Sequence, residues 1–161
     1  MARMELIIDE LPLRLGGSVD PQALEAGRFR KVGVFRLLVT GQSAGRELFT
    51  LANCQMTCLR DDFSIFPCTH GYLDKDRQWE TRASLIFKNG TLSEVLFQVI
   101  DGRYAASNFI ERFADICSGV LGQPEEIEPD TARWVNGTAM VTTHLHRNRV
   151  HADFRFELIA S

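Results

Sequence analysis

Residues 79–101 constrain the fold more than any other stretch. On both sides of Lys88-Asn89-Gly90, apolar and polar residues alternate, and a period of two marks a half-buried β-strand. Asn-Gly is a strong turn signal because both central residues of a tight hairpin turn need positive φ. The segment therefore reads as a β-hairpin with one face inward. A three-residue loop, with Gly90 left-handed as a bulge, pairs Leu85 with Ser93, Ala83 with Val95 and Thr81 with Phe97. It gathers Trp79, Ala83, Leu85, Phe87, Val95, Phe97 and Val99 on one face. A two-residue loop sets Glu94 opposite Leu85 and mixes the faces, so the alternation favours the bulged loop.

The pattern changes after this hairpin. Over 104–121, Phe109, Ile110, Phe113, Ile116, Cys117, Val120 and Leu121 recur at spacings of three and four, with Glu111, Arg112 and Asp115 opposite. That is an amphipathic helix that starts either at Asn108, with Glu111 completing a capping box, or earlier near Tyr104, and stops at Gly122 and Pro124. The acidic stretch 124–130 reads as a loop. Residues 139–159 read as a second hairpin, turning near Arg147–Arg149. Aligning Asn89 with Asn148 also aligns Phe97 with Phe156, a hint of duplication. Hairpin, helix and hairpin together predict an α+β fold: an antiparallel sheet built from hairpins with one long amphipathic helix packed on one face. Ahead of it come a strand over 4–8 and a short helix over 21–27, capped by Ser18 or Asp20 with Pro21 in its first turn. A strand over 30–40, a turn over 41–45, a segment over 46–59 that favours strand over helix, and an apolar run over 63–68 follow.

A length of 161 residues fits one domain, 1–161. The net charge of −3 gives no case for nucleic acid or an anionic membrane as partner. No apolar run reaches the roughly 18 residues of a membrane span, and the N-terminal run is too short for a signal peptide. The expected location is cytoplasmic, with Cys54, Cys58, Cys68 and Cys117 as free thiols.

Chemistry concentrates in the last hairpin. His144, His146 and His151 lie beside Asp153, and the turn between them has no glycine where the first hairpin has Gly90. A register pairing Leu145 with Ala152 keeps Phe154, Phe156 and Leu158 inward and places the three histidines and Asp153 together on the opposite face. Imidazoles and a carboxylate at cross-strand distance can share one divalent transition metal. The spacing Gly137-x6-His144-x-His146 resembles the first metal motif of cupins, where a glycine precedes His-x-His and a carboxylate follows. His151 stands in place of that carboxylate, so the likeness implies a ligand pair and assigns no family. Cys54, Cys58, Cys68 and His70 are spaced more loosely than structural zinc ligands, and on a strand Cys54, Met56 and Cys58 share one face that reads as a sulfur-rich core edge. Nucleophile-elbow, phosphate-loop and His-Glu-x-x-His signatures are absent.

Two functional readings follow. The first is a non-catalytic binding or interaction domain that contacts a protein, a small-molecule ligand or a second copy of itself through a sheet face or edge. The second is a metal-dependent enzyme in which His144, His146, His151 and Asp153 hold a cation that activates water. No cofactor besides that metal is implied.

Overall fold

The computed structural model describes residues 5–32, 46–52, 54, 56–60, 63–64, 79–101 and 106–159. In chain order the elements are β1 (Glu5–Ile8), β2 (Leu11–Arg14), α1 (Pro21–Ala26), β3 (Arg30–Val32), β4 (Arg46–Ala52), β5 (Met56–Arg60), β6 (Phe63–Ser64) and β7 (Trp79–Lys88). They continue with β8 (Thr91–Asp101), α2 (Ala106–Leu121), β9 (Glu125–Glu128), β10 (Thr131–Asn136), β11 (Ala139–Leu145) and β12 (His151–Leu158). Eight strands form one antiparallel sheet in the order β3-β4-β7-β8-β12-β11-β10-β9, and four form another in the order β2-β1-β5-β6.

The expectation of an α+β fold is corrected: the fold is mostly β, an antiparallel sheet is present, and helix is a minor component. The reason lies in segments whose sequences hide their strands. Glu125–Glu128, read as an acidic loop, is the edge strand β9, where charged side chains are tolerated because they discourage further pairing. Leu11–Arg14 contains Pro12, and proline is depleted in strands. As β2 it too is an edge strand, the place in a sheet where proline's missing N–H costs least. Helix α2 lies against β8, β10, β11 and β12 rather than along the whole sheet.

The large sheet is organised as two similar halves. Helix α1 is followed by the meander β3-β4-β7-β8, interrupted by β5 and β6, and helix α2 by the meander β9-β10-β11-β12. The halves meet at the antiparallel pair β8–β12. The inward face carries Ala83, Leu85, Val95, Phe97, Val99, Trp134, Val141, Ala152, Phe154 and Phe156, all buried. Leu6, Ile8 and Leu13 of the small sheet, Leu24 of α1 and Phe113 and Cys117 of α2 join the same cluster. The Gly16-Gly17 pair ties the end of β2 to the hairpin tip: Gly16 N–H donates to the Leu92 carbonyl at 2.8 Å, and Leu92 N–H to the Gly17 carbonyl at 2.8 Å. Asp20 caps α1 by accepting from the Gln22 N–H.

The first hairpin buries Ala83, Leu85, Phe87, Val95, Phe97 and Val99 as expected, but not in the expected register. Asn89 and Gly90 form a two-residue turn with φ of 52° and 83°, and Lys88 pairs with Thr91. Beyond it the register shifts at Ile86/Phe87, so that Phe87 faces Leu92, Ile86 faces Glu94 and Leu85 faces Val95. Ser93 is left over as a bulge, and its hydroxyl donates to the Ile86 carbonyl at 3.0 Å. One extra residue restores the parity that a two-residue loop alone would have broken. Asn108 falls inside α2, not at its cap. The readings at 33–45 and 65–70, including Cys68 and His70, lie outside the described residues.

Candidate metal site on the outer sheet face

The last hairpin adopts the register that its apolar residues demand. Leu145 faces Ala152, His144 faces Asp153 and Thr143 faces Phe154. Leu145, Thr143, Ala152, Phe154 and Phe156 are buried, so the alternation turns His144, His146, His151 and Asp153 to the other side of the sheet. The connection is a four-residue loop closed by the His146 N–H donating to the His151 carbonyl at 2.9 Å. Arg149 takes a left-handed φ of 64°, although it is not glycine. Asp130, in the neighbouring β9–β10 turn, pairs with the Arg149 guanidinium at 3.2 Å.

Two of the three histidines converge on one carboxylate. His146 Nε2 lies 2.9 Å from Asp153 Oδ2, and His151 Nε2 lies 3.1 Å from Asp153 Oδ1. The two rings stack, 4.0 Å apart and 11° from parallel. Ligand atoms of His146, His151 and Asp153 all fall within 4.8 Å of one another. His144 stands apart from this trio. Its ring sits 5.0 Å from that of His146, but its Nδ1 is 2.7 Å from the Thr131 hydroxyl on β10, and Thr131 in turn reaches Glu128. Of the four residues singled out in the sequence, three converge and one turns toward the neighbouring strand.

Gln98 is the member that sequence reasoning missed. It lies on β8 directly across from Asp153, and its Nε2 is 3.1 Å from both His151 Nε2 and Asp153 Oδ1. Period two assigns Gln98 to the outer face, but nothing in the sequence says that β8 and β12 are neighbours. Gln98 donates to Asp153 Oδ1, and the same amide faces His151 Nε2, which itself lies within hydrogen-bond reach of that carboxylate oxygen. Partial burial pushes the His151 imidazolium below its ordinary range, with Asp153 opposing and His146 reinforcing the shift. His146, facing the other carboxylate oxygen alone, donates through Nε2.

Elsewhere, burial pushes the Cys54 and Cys117 thiols up to about 12, which makes them structural thiols in the core. Among the described residues no helix is long and apolar enough to cross a membrane. No family model, no curated protein and no solved structure matches this chain.

Proposed function

We propose that this chain binds a divalent transition-metal ion through His146, His151 and Asp153. The observation that carries the reading is the convergence of two imidazole nitrogens and a carboxylate within 4.8 Å, on two paired strands. Donor separations of 2.9 and 3.1 Å are near those of neighbouring ligands around a cation with bonds of about 2.0–2.2 Å. Two imidazoles and a carboxylate suit zinc, iron, cobalt or nickel better than magnesium or calcium, which prefer all-oxygen shells. Each imidazole binds the cation through Nε2 with its one hydrogen carried on Nδ1.

Three protein ligands leave coordination positions for water. A cation so held would lower the pKa of that water and supply a hydroxide nucleophile near neutral pH, the chemistry a hydrolytic enzyme would use. The alternative of an apolar docking face lacks comparable support. Among the described residues the exposed large hydrophobics are Ile100, Val135 and Ile159, on three different strands or strand ends.

The test is metal analysis by mass spectrometry of protein purified without chelator or histidine tag. Near-stoichiometric zinc, iron, cobalt or nickel is expected, and its loss in a folded His146→Ala, His151→Ala double variant. Protein that carries no metal, and takes none up after dialysis against zinc, would sink the proposal.

A further inference from the structure

The trio is surrounded on its β8 side by one more polar side chain, and the position of that side chain is informative. The terminal amide atom of Gln98 is equidistant, at 3.1 Å, from His151 Nε2 and Asp153 Oδ1. Ligand atoms sharing a cation with bonds of about 2.1 Å are separated by roughly 3.0–3.4 Å. The Gln98 terminus thus already stands at a ligand's distance from two of the three donors.

We infer that Gln98 is the fourth protein ligand of the site, binding the cation through Oε1 after its amide turns over. This rests on the metal-binding reading above. Without a cation, the amide nitrogen donates to Asp153 Oδ1 and faces His151 Nε2. With a cation, both of those atoms point a lone pair at the metal and neither accepts from Gln98. A half-turn about the last side-chain torsion then exchanges N for O at the same place, with no movement of the backbone. That torsion is broad and nearly two-fold, so the exchange meets no rotamer barrier of consequence. The strand geometry supports it: Gln98 is the cross-strand partner of Asp153 on β12, as His144 is on the other side. His144 is the weaker candidate, because Thr131 draws its Nδ1 toward β10. The resulting set of two imidazoles, a carboxylate and an amide oxygen favours borderline cations such as Co2+ and Zn2+, with water bound where the shell expands beyond four ligands.

The experiment is a calorimetric and visible-absorption titration of metal-free protein with Co2+, whose ligand-field bands report coordination number and donor type. Wild type, Gln98→Leu and Gln98→Glu are compared, with circular dichroism checking that each is folded. Loss of a ligand in Gln98→Leu should weaken Co2+ binding by about tenfold or more and alter the bands, an effect at least as large as that of an outer-shell partner. Gln98→Glu, which keeps an oxygen in place and adds a charge, should bind more tightly than wild type. Wild-type binding with an unchanged affinity and spectrum in Gln98→Leu would overturn the fourth-ligand assignment alone. No Co2+ binding by wild type would overturn the site itself.

Discussion

Phe113 is the residue whose truncation should disturb the packing most. It sits in the middle of α2, fully buried, with its ring edge-to-face against Phe154 at 5.1 Å and against Phe156 and Trp134 at 6.1 Å each. Removing the ring forfeits its transfer free energy, roughly 1.5–3 kcal/mol, and leaves a cavity whose walls are stiff strands of the sheet. Aromatic pairs of this geometry add about 0.5–1.5 kcal/mol each beyond area, though the three overlap and do not sum. Phe113→Ala should therefore cost about 3–5 kcal/mol, within the range of large aromatic truncations. Urea unfolding followed by tryptophan fluorescence reads this directly, since Trp134 is itself one of the contacts. A loss below about 1 kcal/mol, with an unchanged denaturant slope, would refute the docking of α2 on β8 and β10–β12.

Other outcomes follow from local features. Gly119 lies in α2 without positive φ, and a methyl group there meets nothing within 4 Å, so Gly119→Ala should stabilise by about 0.5–1 kcal/mol in the same assay. Burial raises the Glu94 carboxyl above its ordinary 4.5, with Arg155 only partly offsetting it. A carboxyl raised on folding stabilises the fold most below that value and less as pH rises through its folded pKa. Glu94→Gln should accordingly raise the melting temperature at pH 7, and that gain should vanish near pH 4. Equal melting differences at both pH values would contradict this. Cys54 and Cys117, with thiols held near 12, should resist alkylation in the native protein and react only after denaturation. Mass mapping of labelled peptides checks it.

What the sequence reveals and what it hides follow the same physics. Side-chain parity was legible, because burying Phe97, Phe154 and Phe156 on one face leaves no freedom about which residues point outward. Register was not always legible. The Asn89-Gly90 hairpin could reach the same faces with a bulge inside the turn or at Ser93, and alternation cannot distinguish these. The last hairpin was better determined, since a slip of one residue would have buried His144 and exposed Leu145. Edge strands such as β2 and β9 carry too little apolar pattern to be seen. The histidine cluster was visible as composition within one hairpin. Gln98 was invisible, because its place in the site depends on β8 and β12 pairing across more than fifty residues of chain.

The most direct test of the site is a long-range proton–nitrogen correlation spectrum of the histidine rings, recorded before and after one equivalent of Zn2+. Zinc should move Nε2 of His146 and His151 together, at a one-to-one ratio, while Nδ1 of His144 stays bonded to Thr131. Histidine signals unaffected by zinc, or zinc-dependent shifts confined to His144 or His70, would contradict the site.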